Sequence, residues 1–294
     1  MTLPPVTAQM SPQFTQAVQT LRKTIKTVSQ EAVTGRYSDI TKQLDGRVGV
    51  ALLSQQAVTA IADERLQLTT RATRLEITQN ALSRIRSGVE TLPGRLLSAV
   101  GMGDQATQAQ VASDARSSLS DVFSALNARS GERFLFSGDA TATPPLADPS
   151  ALMSDIVALA ASSTTSGQFE AALDTYFNDP AGAWQQTIYA GTATSSDPDA
   201  VVATDPALSA IVRGLAVISL ADPATQPAVL SQSGTSLQAA AAQLSGGHDG
   251  LVTLQADRGR IEARIQDQFA ALDTRETVLT EAFNKLTARD PYEA

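Results

Sequence analysis

Two stretches near opposite ends of the chain repeat apolar residues every seven positions, and that repeat limits the possible folds more than any other feature. In the later stretch Leu237, Ala240, Leu244, Gly247, Leu251, Leu254, Arg258, Ile261, Ile265, Gln268, Leu272, Arg275, Leu279, Ala282 and Leu286 alternate spacings of three and four throughout. In the earlier one Val58, Ile61, Leu68, Ala72, Leu75, Leu82, Val89 and Leu96 keep the same register, with Arg65, Gln79, Arg86 and Pro93 at the intervening seam positions. Such alternation holds one edge of a helix apolar along its length, and that edge is stable only against another helix. Polar side chains on the seam weaken it but fix its register. The expected fold class is therefore mainly α: a long antiparallel, coiled-coil-like bundle of the two flanks, with a small mixed α/β domain inserted between them.

A shorter seam opens the chain. Ser11-Pro12 is a capping residue followed by proline at the first helical position. Phe14, Val18, Leu21, Ile25, Val28 and Ala32 follow at spacings of three and four, up to the helix terminator Gly35. Burying one Leu or Ile is worth roughly 1.5–3 kcal/mol, whereas ordering one residue of backbone costs roughly 1–2 kcal/mol. A helix of this length with six seam residues at best breaks even, and only with a partner. It is expected to pair within the chain, to pair between chains, or to stay disordered until assembly. A loop is expected from Arg36 to Gly46, then one helix over 48–97, which Pro93-Gly94 kinks or ends, and a third over 104–128.

The middle is different in kind. Residues 137–227 hold ten acids and one base, Arg213, for a charge of −9, while the flanks together come to +1. Eight of the thirteen prolines also fall there. A strand is expected at Arg133–Phe136, short helices at 150–162, 168–177 and 205–220, and a hairpin pairing Thr187–Ala190 with Ala200–Ala203 around the loop 194–199. The domains read as 1–46, an assembly and export helix with its loop; 47–136, outgoing rod helices; 137–227, an acidic outer domain; and 228–294, the returning rod helix.

Composition removes many chemistries. Without cysteine there is no thiol nucleophile, no cysteine-ligated metal and no disulfide. With His248 as the single histidine, multi-histidine metal sites are excluded. A net charge of −8 argues against duplex nucleic acid and against an anionic membrane surface. MTLPPVTAQM has neither the basic residues nor the apolar run of a cleavable signal peptide.

The remaining polar motifs read as structural. GGHDG at 246–250 keeps the phase of the seam, so either the helix continues there with a weak point or two helices stack nearly coaxially, and His248 is expected to be solvent-exposed on a turn or helix interruption. Asp197, Asp199 and Asp205 carry only part of a calcium-loop pattern and are expected at a solvated hairpin tip. GMGD at 101–104 is expected to connect two helices, with Asp104 as the next cap. No catalytic, cofactor-binding or metal residue is assigned, and the chain is read as a non-enzyme.

Paired terminal heptad helices, a cysteine-free Ala/Ser/Thr/Gln-rich chain and an insertion between the flanks resemble the flagellin superfamily of bacteria. Within it, GERFLFSGDATATPPL at 131–146, with Phe134, Leu135, Phe136 and Gly138, is similar to a signature of the hook-filament junction proteins, the hook-associated protein 3 family. VTGRYSDITKQLDGRVG at 33–49 resembles that family's loop after the first helix, and LTARDPYEA at 286–294 the point where its returning helix meets a final segment. MTLPPVTAQM and GRYSDI depart from the start and loop of filament-forming flagellins, which favours the junction protein; a divergent flagellin is the alternative. Members of the family continue past the Asp-Pro-Tyr-Glu-Ala region into another helix, so the first seam is expected to lack its in-chain partner here.

The resemblance implies a structural adaptor of the extracellular flagellum, exported unfolded through the flagellar type III channel without a cleaved signal. Its implied partners are copies of itself in a ring, the first hook-associated protein on the hook side, flagellin on the filament side and an export chaperone, with no nucleic acid and no membrane. Phe14, Val18, Leu21, Ile25 and Val28 become the assembly interface. Val58, Ile61, Leu68, Leu75, Leu82, Val89, Leu251, Leu254, Ile261, Ile265, Leu272, Leu279 and Leu286 become the rod core.

Overall fold

A computed structural model of the chain describes residues 12–34, 38, 48–231 and 234–287. Among these residues nine α-helices run in the order α1 (Pro12–Thr34), α2 (Val48–Val89), α3 (Leu92–Met102), α4 (Gln105–Leu126), α5 (Pro149–Ser162), α6 (Ser166–Asn178), α7 (Pro206–Ile218), α8 (Ala228–Ser231) and α9 (Thr235–Thr287). Two short antiparallel strands, β1 (Arg129–Ser130) and β2 (Arg133–Phe134), follow α4, and a single π-helical turn covers Trp184–Ile188. The fold is mainly α, and its long helices pack together. The chain divides into two compact units: Met1–Leu68 with Asp267–Ala294, and Thr69–Gln266.

In the first unit α2 and α9 run antiparallel. Ile61 and Leu68 pack with Leu272, and Phe269 and Leu279 close over them. Arg65, on the seam between Ile61 and Leu68, reaches Asp273 at 2.5 Å and Glu276 at 2.7 Å. Its carboxylate partners are how a cation is tolerated at that seam position.

The second unit holds the large core. The buried faces of α2, α3 and α4 (Leu82, Val89, Leu96, Val111, Leu119, Leu126) join α5, α6, α7 and the upper part of α9 in one apolar cluster. The acidic insertion therefore shares its core with the helices that flank it. Here too α2 and α9 are antiparallel: Gln79 Nε2 donates to the Gln255 carbonyl at 3.0 Å.

Local chemistry sets the breaks. The helix expected over 48–97 ends at Val89 and restarts at Leu92. Pro93 has no N–H to offer the Val89 carbonyl four residues back, so it sits instead in the first turn of α3. Gly103 closes α3 at φ 67°, with its N–H on the Val100 and Ala99 carbonyls. Asp104 then caps α4, accepting from the Thr107 N–H at 3.1 Å. Two further helices begin the same way, with Asp148-Pro149 on α5 and Asp205-Pro206 on α7.

Several expectations need correction. The strand expected over Arg133–Phe136 stops at Phe134. Leu135 and Phe136 turn inward, and the Phe136 side chain is fully buried. The hairpin of 187–190 with 200–203 is not formed. Residues 184–188 coil into the π turn, Tyr189 forms an isolated bridge with Leu146, and Ala203 donates to the Phe136 carbonyl at 2.9 Å. The mixed α/β character expected of 137–227 thus gives way to helices joined by hydrogen-bonded loops. GGHDG does not interrupt anything: α9 passes through it intact. Two of its three glycines serve close packing, because a Cβ on Gly247 or Gly250 would stand 2.7 Å from Ile211 or Ala207 of α7, respectively.

Candidate functional site

The first seam lies on α1 with its apolar residues turned outward. Phe14 is 54% exposed, Leu21 60% and Ile25 60%, while Val18 and Val28 are half-buried. The helix carries Arg22, Lys23 and Lys26 beside this row. Its far end is held by Glu31, whose Oε1 accepts from the Ser38 N–H at 2.8 Å and the Ser38 hydroxyl at 2.7 Å. Most of the 33–49 motif, and the 286–294 motif after Thr287, lie outside the described residues.

The long seams are placed differently. Ile61, Leu68, Leu75, Leu82, Val89, Leu251, Ile265 and Leu272 are buried; Val58, Leu254, Ile261, Leu279 and Leu286 are half-buried. Among the intervening polar positions, Gln268 and Arg275 face solvent, and Arg258 is drawn toward the insertion.

The 131–146 signature forms a hydrogen-bonded knot. Phe134 N donates to the Thr141 carbonyl at 2.8 Å, and Thr192 N to the Ser137 carbonyl at 3.0 Å. Asp139 accepts from the Ser196 N–H at 2.7 Å and the Ser196 hydroxyl at 2.8 Å, and these bonds hold its carboxyl below the usual range. Gly138 has φ 64°, and a Cβ there would fall 2.3 Å from the Thr192 carbonyl oxygen. Glycine is thus required at this position by both backbone and space. Asn127, just past α4, ties the end of the motif down: its side chain exchanges bonds with Leu146 N at 3.1 Å and Leu146 O at 2.8 Å. The Tyr189 hydroxyl, donating to the Thr192 carbonyl at 2.8 Å, is pushed up to about 12 by burial.

The aspartates expected at a solvated tip are clamped to helices instead. Asp199 takes a bidentate pair of bonds from Arg71 of α2, and this hydrogen bonding lowers its carboxyl against the opposing pull of burial. Asp197 lies 3.5 Å from Arg74, and Arg258 of α9 donates to the Asp199 carbonyl at 2.6 Å. Asp205 caps α7 through the Ala207 N–H at 2.9 Å, and burial raises its carboxyl. The cleft beside this clamp, between Arg71, Arg133 and Phe134, has a cavity volume of about 40 Å³. That is room for a water or two, against the roughly 300–1,000 Å³ of small-molecule pockets.

Sequence reasoning gave no role to two buried groups. Arg213, the one base of the acidic segment, is buried on α7 and bonds Glu170 at 2.8 Å and Asp174, both on α6. Trp184 is fully buried and donates from Nε1 to the Ser209 hydroxyl at 3.0 Å. A lone cation amid ten acids was the available signal for the first; the second had none beyond its size. His248 faces its neighbour Asp249 at 3.5 Å from within α9. Among the described residues no group of three or more His, Asp or Glu side chains is placed to hold a metal ion, and no helix is long and apolar enough to cross a membrane.

No family model matches the chain. No curated protein matches it either. Among solved structures, one from Vibrio parahaemolyticus, described as that of a flagellar hook-associated protein, is similar in fold, with a TM-score of 0.52 over 80% of this chain and 95% of that one. The two are 12% identical, so the likeness is one of fold.

Proposed function

We propose that this chain is a non-enzymatic structural subunit of the bacterial flagellum, working at the hook-filament junction and joining neighbouring subunits by helix packing. The observation that carries the reading is the outward apolar row of Phe14, Leu21 and Ile25 on α1. A helix with three large apolar residues more than half exposed is a contact surface awaiting a cover. Three further features support it: the fold likeness to a flagellar hook-associated protein, the 131–146 motif built around an obligatory glycine at 138, and a chain dominated by two long antiparallel helices. Copies of the chain, the first hook-associated protein and flagellin are the proposed partners. Export without a cleaved signal, helped by a chaperone, is the proposed route to the cell exterior.

Electron microscopy of the purified protein mixed with isolated hooks and flagellin tests this. Decoration of hook tips, with filaments growing from decorated tips only, is the expected result. Failure to bind hooks at any concentration overturns the reading, and unaided growth into micrometre filaments would make the chain a filament subunit.

A further inference from the structure

A second outward apolar feature lies on α2, within the same unit as α1. Leu52 is 54% exposed and Leu53 66%, and a shallow groove runs from Leu52 along Gln56, Thr59 and Ala60 to Asp63. The two features match in length and charge. Phe14 and Ile25 are eleven residues apart, as are Leu52 and Asp63, and each span covers about 16 Å of helix. α1 carries Arg22, Lys23 and Lys26 against a single acid, Glu31. Residues 48–68 and 267–287 of α2 and α9 carry six acids to three bases. Arg65 is already bound to Asp273 and Glu276, and Lys285 to Glu281. That leaves three exposed acids, Asp267 on α9 and Asp63 and Glu64 at the end of the groove.

We infer that α1 of one copy docks in the Leu52–Asp63 groove of a second copy. Phe14 lies against Leu52 and Leu53, Leu21 against Thr59 and Ala60, and Lys23 and Lys26 beside Asp63 and Glu64. The helices run parallel, because the opposite direction would leave the basic residues of α1 at the apolar end of the groove. This rests on the self-assembly reading above and names the receiving surface.

Because the chain has no cysteine, engineered thiols report the contact without background. Full-length Leu21→Cys is mixed with full-length Ala60→Cys under mild oxidation, beside a control pair in which the second thiol is Ser117→Cys on α4. Faster formation of the first disulfide-linked dimer, at least tenfold over the control, is expected. Lys23→Glu/Lys26→Glu on the first chain should abolish that excess, and Asp63→Lys/Glu64→Lys on the second should restore it. Equal rates for the two pairs, or no rescue by the charge swap, overturn the inference. Sedimentation of the unsubstituted chain separates the levels: self-association without the preferred cross-link leaves assembly standing and removes this groove from it, whereas a permanent monomer that ignores hooks removes both.

Discussion

Gly247, in the interior of α9, lies against Ile211 of α7 so closely that a Cβ built on it would stand 2.7 Å from Ile211 Cγ1 and 2.9 Å from the Ala207 carbonyl oxygen. Its neighbour Gly246 has nothing within 4 Å. Two adjacent glycines in one helix thus have opposite relations to the fold. Alanine is a better helix former than glycine by about 1 kcal/mol, so Gly246→Ala should raise the unfolding free energy by up to that amount. Gly247→Ala should lower it by about 1–3 kcal/mol, since the backbone of α7 must move to admit the methyl. Urea denaturation of the two variants checks this; equal effects would mean that α7 does not press on α9 at this point.

Arg213 stands at the centre of a second test. It is buried on α7 between Glu170 and Asp174 and is the one base in a segment of charge −9. Removing the guanidinium leaves a half-buried and an exposed carboxylate facing an apolar hole. Arg213→Ala should cost about 2–4 kcal/mol, somewhat less than a fully enclosed pair because both acids reach solvent. Arg213→Leu combined with Glu170→Gln and Asp174→Asn should recover most of that loss, as neutral packing replaces the ions. A triple variant no more stable than Arg213→Ala would assign the cost to lost packing of the arginine stem.

The fold class was legible because the seven-residue repeat is a property of helix geometry alone. Ile61, Leu68, Leu75, Leu82 and Val89 mark a buried edge whatever their neighbours do. Helix starts at Pro149 and Pro206 were legible for a similar local reason, since an aspartate before proline caps a helix unaided. The insertion was not legible in detail. Its loops are held by contacts between residues far apart in sequence, such as Asp139 with Ser196 and Asn127 with Leu146, and period and turn residues carry no trace of those pairings. GGHDG left a continuous helix and a break both open, because glycine marks both chain reversals and close helix crossings. The partner that decides between them, Ile211, lies outside any local window. As for the candidate surface, the row from Phe14 to Ile25 could be read as a seam, but only coordinates could show it facing outward while the Ile265 row faces in.

The clamp of Asp199 by Arg71 makes part of the insertion sensitive to acid. Hydrogen bonding from Arg71, aided by its charge, holds the Asp199 carboxyl below the ordinary range near 3.9. A depressed carboxyl contributes stability that is present above its unfolded value and lost as pH falls through its folded one. Asp205 works in the other direction: burial raises its carboxyl, so protonating it relieves desolvation, and acid loosening traces to Asp199. Hydrogen exchange in residues 194–205 should accelerate below about pH 4, ahead of exchange in α4. Asp199→Asn should show the faster exchange already at pH 7 and a flatter pH profile. An unchanged profile in that variant would remove the Arg71 clamp as the cause.

The two kinds of seam predict two kinds of damage. Ile265 is buried on α9, whereas Leu21 is 60% exposed on α1. An aspartate at 265 would bury a carboxylate that nothing neutralises and also lose roughly 1.5–3 kcal/mol of apolar burial. Ile265→Asp should therefore lower the melting temperature of the monomer by ten degrees or so. Leu21→Asp meets solvent in the isolated chain and should leave both helicity and melting temperature within error of the parent. The same variant should abolish self-association and hook decoration, because a charge then sits in the row that has to be covered. Circular dichroism and sedimentation on both variants separate the two effects. Equal loss of helicity would mean that α1 is already packed in the monomer, and that assembly must use another face.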